Sequence, residues 1–142
     1  MKKLFAVFVL AILCAYAKAQ VIQVKQVPQV VVTTFQSSNP NTSNVEWYQV
    51  DNNYEAVYNN NKNDMYVLYD PTGKVVETGE GVVYTTLPEN ATMYVKTKYK
   101  EDGMKKVYKV KDANGKTIYK GKVKSGYLIF DSDGNFVRET KY

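Results

Sequence analysis

The chain has 142 residues, with 19 basic and 14 acidic side chains, a formal net charge of +5, one cysteine and no histidine. The absence of histidine excludes Ser-His-Asp and Cys-His nucleophile systems, imidazole acid–base catalysis and His-ligated zinc. The length corresponds to one domain or two very small ones. We therefore expect a tyrosine-rich protein that is not an enzyme and has no catalytic residues and no cofactor.

The first nineteen residues have the pattern of a secretory signal peptide. Two lysines begin the chain, residues 4–16 form an apolar stretch too short to cross a membrane as a helix, and Ala17-Lys18-Ala19 fits the small-x-small cleavage rule. Cleavage is predicted between Ala19 and Gln20. The alternative, a lipoprotein attached through Cys14, is less favoured because Leu13 stands where such sites require a small residue.

Removal of this segment changes the charge and the thiol content. It lowers the net charge from +5 to +2 by taking away three lysines, and it removes Cys14. Residues 20–142 then have no thiol chemistry, and the core alone must stabilise the fold. We predict a periplasmic or secreted protein with no membrane span in the mature chain. Nucleic acid is not expected as a partner of an exported chain with so small a net charge.

Two segments of the chain resemble each other. Residues 69–77 can be aligned with residues 130–138 at an offset of 61, which also pairs Trp47 with Tyr108, and Val27-Pro28 matches Leu87-Pro88 at an offset of 60. A period near sixty residues indicates two copies of one supersecondary unit. The predicted domains are a signal peptide at 1–19, a first repeat at 20–86 and a second repeat at 87–142.

Each repeat is predicted to begin with a helix after its proline. In the second repeat Ala91, Tyr94, Val95 and Lys98 lie at helical spacing. In the first repeat the β-branched run 30–34 favours a strand by propensity, and a helix is predicted there because the matching segment is helical.

Runs of strands follow each helix, joined by turns. Asp70-Pro71-Thr72-Gly73 fits a type I turn, and Asn114-Gly115 favours a two-residue type I′ hairpin. The predicted strands are Val45 to Val50, Tyr54 to Tyr58, Met65 to Tyr69 and Lys74 to Thr78 in the first repeat, and Val107 to Lys111, Thr117 to Val123, Tyr127 to Phe130 and Asn135 to Thr140 in the second.

The turns also predict a register, with Trp47 opposite Tyr58, Tyr58 opposite Met65 and Ala56 opposite Val67. One face of each sheet is then apolar and should be covered by the helix. In the first repeat this face comprises Trp47, Tyr54, Ala56, Tyr58, Met65, Val67 and Tyr69. In the second it comprises Tyr108, Val110, Tyr119, Val123, Leu128 and Phe130.

The order of these features resembles the PepSY-like family of exported bacterial proteins, also called β-lactamase-inhibitor-protein-like. The resemblance rests on Val27-Pro28, Phe35, Pro40-Asn41, Val45-Glu46-Trp47, Tyr54-Glu55-Ala56, and Leu68-Tyr69-Asp70 followed by Gly73-Lys74. It implies an α+β fold of two tandem units, each an N-terminal helix packed on a four-stranded antiparallel sheet. It also implies a location in the periplasm or outside the cell of a Bacteroidota-type bacterium, and it implies no catalytic residues.

The outward sheet faces are the candidate binding surface. Residues 20–86 carry a net charge of −4 and residues 87–142 a net charge of +6, so charge is segregated between the repeats. Lysines among aromatic residues suit an acidic protein, peptide or glycan; the alternative is an ordinary polar face of a half-exposed sheet. The candidate binding residues are Tyr48, Tyr66, Leu68, Lys109, Lys111, Lys120, Lys122, Tyr127 and Ile129.

Three alternatives remain beside an exported binding module. The first is an inhibitor of a periplasmic or secreted hydrolase, with the turn 70–73 or the loop 59–64 inserted into an active site. The second is an enzyme using Glu46 and Glu55, which an exposed sheet face would not bury enough to raise a pKa. The third is a calcium loop at 131–135; it lacks the glutamate that such loops need at position twelve, where Tyr142 stands. No metal is therefore predicted.

Overall fold

The computed structural model describes residues 20–99, 103–104, 106–124 and 126–141, so the predicted signal peptide lies outside the described residues. Nine strands and two α-helices occur within these ranges. In chain order they are β1 (Gln20–Ile22), α1 (Gln29–Ser38), β2 (Glu46–Val50), β3 (Asn53–Asn60), β4 (Asn63–Tyr69), β5 (Val75–Val82), α2 (Glu89–Lys98), β6 (Lys106–Asp112), β7 (Thr117–Val123), β8 (Gly126–Phe130) and β9 (Phe136–Lys141).

All nine strands belong to one curled antiparallel sheet, in the order β1 to β9. The prediction of two tandem units, each with its own four-stranded sheet, is therefore wrong. Strand β5 runs to Val82 rather than ending at Thr78, and its residues 77–82 pair with residues 107–112 of β6. An unpaired edge would leave a row of backbone N–H and C=O groups without partners, and the β5–β6 pairing satisfies them within the chain.

Both predicted helices form, each ten residues long and each preceded by a proline. The carbonyl of Pro28 accepts hydrogen bonds from the N–H groups of Val31 and Val32, and this closes the first turn of α1. The β-branched run becomes helical because Val31, Val32 and Phe35 are buried against the sheet. Burial of an apolar face outweighs a propensity difference of a few tenths of a kcal/mol per residue.

The helix-covered face of β2 to β4 is the one predicted. All seven residues expected on this face pack in one cluster with α1. The ring of Phe35 lies edge-on to Trp47, with centroids 5.6 Å apart, and to Tyr58 at 5.2 Å. Trp47 pairs with Ala56, not with Tyr58. This shift of two residues leaves the face unchanged because side chains alternate with a period of two.

The corresponding prediction for β6 is wrong by one residue. Val107, not Tyr108, packs under α2 with Val123, Leu128 and Phe130, and Tyr119 lies at the edge of this cluster. Tyr108 and Val110 point to the opposite face. Matching positions in the two halves of the chain are 60 residues apart at the starts of α1 and α2 and of β2 and β6. They are 61 apart at the ends of β4 and β8, so the second half contains one additional residue before β8. A slip of one residue exchanges the two faces of a strand.

The turns that begin at Asp70 and Asp112, called the aspartate turns, share one structure. The N–H of Gly73 donates to the carbonyl of Asp70 at 3.0 Å, and the N–H of Gly115 donates to that of Asp112 at 2.9 Å. In the second turn Gly115 has a φ of +78°. Asn114 is not among the residues with positive φ, whereas a type I′ turn needs positive φ at both central residues. The type I′ prediction is therefore wrong, and residues 113–116 form a longer loop.

Both helices pack on the same side of the sheet, so the other side is called the helix-free face.

Neither ten-residue helix has the length and apolar character needed to cross a membrane, and no other α-helix occurs in the described ranges.

Candidate functional site: the helix-free face of the curled sheet

The register defines which side chains share the helix-free face. Cross-strand partners form rows across the sheet, such as Tyr48, Glu55, Leu68 and Glu77 on β2 to β5. A second row joins Tyr108, Lys120 and Ile129 on β6 to β8. The residues of this face used below are Glu46, Tyr48, Glu55, Val57, Asp64, Tyr66, Leu68, Glu77, Lys106, Tyr108, Val110, Asp112, Ile118, Lys120, Lys122, Tyr127 and Ile129.

The curl brings together side chains from distant strands. The Lys120 Nζ on β7 lies 5.7 Å from the centre of the Tyr66 ring on β4 and forms an ion pair with Glu77 on β5. Val57 on β3 and Tyr127 on β8 pack against one buried cluster. The curled helix-free face is called the trough, with β2 and β3 on one side and β7 and β8 on the other.

The floor of the trough is a second apolar core without a helix. Tyr66, Tyr108 and Val110 are buried there, with half-buried Val57, Ile118 and Tyr127 around them. Tyr66 lies directly over Gly79, where a Cβ atom would come within 2.0 Å of its ring. The absence of a side chain at Gly79 therefore allows Tyr66 to lean across β5 and reach Tyr108.

A charged network lies beside this core. The Lys120 Nζ forms an ion pair with Glu77, and the side chains are only 19% and 14% exposed. The Tyr66 hydroxyl donates to the Glu77 Oε1 at 2.9 Å. Burial, followed by the Glu77 charge, raises the pKa of the Tyr66 hydroxyl far above its usual range. Tyr66 thus stays a neutral donor that orients the carboxylate of Glu77.

Glu55 is a half-buried carboxyl group on the wall of the trough. Burial raises the pKa of Glu55 to about 7; Lys120 opposes this rise, Glu77 adds to it, and Lys122 opposes it least. Among the described residues Glu55 makes no salt bridge and accepts no hydrogen bond through its side chain. A carboxyl group in this position loses hydration without gaining a bonded partner.

The open sides of the trough carry half-exposed tyrosines. The Tyr48 hydroxyl donates to the Glu46 Oε2 at 2.8 Å, and burial raises the pKa of Tyr48 to about 12. Tyr127 lies on the other wall, opposite Lys122 in the register. Aromatic side chains with a polar end and remaining exposed area suit contacts with another protein.

The structure places seven of the nine sequence-derived candidates on the helix-free face. Lys109 and Lys111 lie on the helix-bearing side instead, opposite Glu80 and Thr78 of β5. Their predicted position on the outward face is wrong for the same one-residue reason as that of Tyr108. Of the remaining lysines, Lys120 is paired with Glu77. The expected patch of four lysines does not form.

The turn at 131–135, which the sequence analysis considered as a calcium loop, is held by hydrogen bonds within the chain. The Asp131 carboxylate accepts the N–H groups of Asp133 at 3.0 Å and Asn135 at 2.8 Å, as Asp70 does in its own turn. These bonds give the aspartates a role within the turns. In the parts of the chain that the structure describes, no group of three or more acidic or cysteine side chains is placed to hold a metal ion.

Sequence reasoning missed part of this site. It expected no carboxyl group on the sheet to be buried enough for a raised pKa, whereas that of Glu55 is raised. It also missed Glu77, Tyr108 and Val110. The offset of 60 between the prolines could have indicated the true face of Tyr108, but no sequence signal pairs Glu77 with Lys120, because they are 43 residues apart.

No family model matches this chain, and no curated protein does. Among solved structures, a protein of Bacteroides eggerthii DSM 20697 described only provisionally as periplasmic has a TM-score of 0.63 and 18% identity; the alignment covers 80% of this chain and 88% of that chain. A DUF2874 family protein from Bacteroides ovatus ATCC 8483 has a TM-score of 0.60 and 22% identity, with 80% and 86% covered.

A BLIP-like protein from Bacteroides fragilis NCTC 9343 is also similar, with a TM-score of 0.51 and 17% identity over 80% of this chain and 84% of that chain. At these identities the likeness concerns the fold. The chain thus has the fold found in DUF2874 family and BLIP-like proteins of Bacteroides.

Proposed function

We propose that this chain is an exported, non-enzymatic binding module, related to the β-lactamase-inhibitor-protein-like group, whose trough binds a segment of a partner protein. The observation that carries the proposal is the curl, with Val57 of β3 and Tyr127 of β8 both packed against one buried cluster on the helix-free face. Two facing walls suit a single loop or extended segment rather than a flat protein surface.

The composition of the trough supports a protein partner. Tyr48, Val57, Ile118 and Tyr127 are half-buried apolar or aromatic side chains around a buried floor. Aromatic anchors at the centre and charged groups around them are typical of protein interfaces. Four of the contact residues proposed from the sequence lie on this face with exposed area and are retained: Tyr48, Lys120, Lys122 and Tyr127. Tyr66, Leu68 and Ile129 lie on the same face but are buried, so they support the surface from below.

The similar solved structures support the same class. One of them is a BLIP-like protein and another is described provisionally as periplasmic. These descriptions favour an exported binding protein and leave inhibition of a periplasmic or secreted hydrolase as the second candidate function. In that case the trough would hold a segment of the hydrolase.

Site-directed photo-crosslinking tests the proposal. A photoreactive phenylalanine analogue replaces Tyr48 or Tyr127 in the trough and, as a control, the exposed Lys96 on α2. The proteins are irradiated with the envelope fraction of the cells that produce them. A discrete protein adduct is expected from both trough positions and not from position 96. Equal adducts at all three positions, or none in the trough, would contradict the proposal.

A kinetic screen separates the two candidate functions. Purified protein is added to the hydrolases present in the same envelope fraction, and their rates are measured with and without a Tyr48→Ser and Tyr127→Ser double variant as control. An inhibitor lowers at least one rate, and the double variant does so less. A binding module without inhibitory action forms the crosslinked adduct and leaves every rate unchanged.

A further inference from the structure

We infer that the segment held in the trough is basic and presents an arginine or lysine side chain to Glu55. This inference rests on the proposed function and names the chemistry of the partner. It reverses the sequence-based expectation of an acidic partner.

Most carboxylates on the described part of the helix-free face already have bonded partners. Lys120 is paired with Glu77, and Lys106 is paired with Asp64 on β4. The Asp112 carboxylate accepts the N–H groups of Asn114 and Lys116, both at 2.9 Å. Glu46 accepts the Tyr48 hydroxyl. Within the described part of the helix-free face, Glu55 is the carboxylate that these bonds leave out.

Glu55 shares a cross-strand row with a second carboxylate, Glu77, and the two flank Leu68. Lys120 is already paired with Glu77, and Lys122 has the weakest influence of the charges that act on Glu55. An acidic ligand would place a further negative charge beside these two carboxylates, whereas a cationic side chain would compensate the desolvated Glu55. Opposite charges brought together in a partly buried site favour association.

The surroundings of Glu55 favour a planar cation. Tyr48 lies beside Glu55 on the neighbouring strand, directly opposite it in the register. A guanidinium group is planar and weakly hydrated, and it stacks on aromatic rings while it pairs with a carboxylate. Arginine is therefore the side chain that this position suits best, and lysine is the second choice.

A constrained-loop library tests the inference without knowledge of the natural partner. Disulfide-closed seven-residue loops displayed on phage are selected on the immobilised protein at pH 8, where Glu55 is mostly ionised because its pKa is raised only to about 7. Clones are then measured as synthetic peptides against the wild type, Glu55→Gln, Tyr48→Ser with Tyr127→Ser, and Glu89→Gln. Glu89 is an exposed carboxylate in the first turn of α2 and provides the matched control.

The inference predicts that trough-binding loops are enriched in arginine or lysine at one position. Their affinity should fall at least about tenfold in Glu55→Gln and stay unchanged in Glu89→Gln. Loops that depend on Tyr48 and Tyr127 but carry no basic residue, or bind Glu55→Gln equally well, would overturn the inference and leave the proposed function standing. If no selected loop depends on Tyr48 or Tyr127, both are overturned. Circular dichroism of each variant verifies that it is folded.

Discussion

The ring of Tyr66 on β4 packs edge-on against the ring of Tyr108 on β6, with centroids 5.3 Å apart and planes at 81°. The two residues come from the two halves that the sequence suggests as separate repeats. Their contact lies on the helix-free face and closes over Gly79 of β5. The halves of the chain therefore share a core in addition to a continuous sheet, and we expect them to unfold together.

Truncation of these rings tests the shared core. Tyr66→Ala and Tyr108→Ala should each lower the free energy of unfolding by about 3 kcal/mol, because each removes a buried aromatic side chain. The double variant should show a coupling energy of about 0.5–1.5 kcal/mol. Urea unfolding followed by circular dichroism measures both quantities. Two separate transitions in the wild type would contradict a shared core.

Gly79→Ala should destabilise the protein through Tyr66. The added Cβ would meet the Tyr66 ring at 2.0 Å, and the ring would have to leave its contact with Tyr108. We expect a loss of about 1–3 kcal/mol, the usual range for overpacking. In the Tyr66→Ala background the same substitution should cost much less. An equal cost in both backgrounds would assign the effect to the β5 backbone instead.

The two lysine–carboxylate pairs between the halves should differ in strength. Lys120→Met leaves the carboxylate of Glu77 without its cation in a place where the side chain is 14% exposed, and we expect a loss of about 2 kcal/mol. Lys106→Met is the matched control, because Lys106 and its partner Asp64 are 52% and 41% exposed and such pairs contribute less than about 1 kcal/mol. Equal losses by urea unfolding would contradict the burial argument.

Glu55 should make stability depend on pH. The folded-state pKa is raised to about 7, so the folded protein binds the proton more tightly than the unfolded chain, and this contribution is lost as pH rises through about 7. Glu55→Gln should therefore stabilise the protein at pH 8 by about 1–2 kcal/mol and change little at pH 4, because partial exposure to solvent reduces the cost of the charge. Urea unfolding at both pH values measures this effect, and an equal change in stability at pH 4 and pH 8 would contradict it.

Trp47 should report on the core between α1 and strands β2 to β4. Its side chain is 5% exposed and lies edge-on to Phe35. Trp47→Ala should cost about 3–5 kcal/mol, whereas Trp47→Phe keeps an aromatic ring and should cost less. The native fluorescence of Trp47 should be blue-shifted and move to longer wavelength on unfolding. Native emission typical of a fully hydrated indole would contradict the packing of α1.

Some features followed from the sequence because they depend on neighbours along the chain. The period-two alternation of β2 to β4 predicted the helix-covered face even where the pairing of Trp47 was displaced by two residues. Proline followed by a run of about ten residues predicted α1 and α2. The glycines of the aspartate turns predicted where the strands reverse.

The features that define the site depend on residues far apart in the sequence. The pairing of β5 with β6, the curl and the packing of Tyr66 on Tyr108 each require the complete sheet. The ion pair of Glu77 with Lys120 and the desolvation of Glu55 follow from that curl. The sequence alone determined the local elements and the first apolar face, because alternation and turn chemistry are local properties of the chain. Only the tertiary structure decided that there is one sheet and that, among the described residues, the trough leaves the Glu55 carboxylate without a bonded partner, because burial and pairing at a distance depend on the folded sheet.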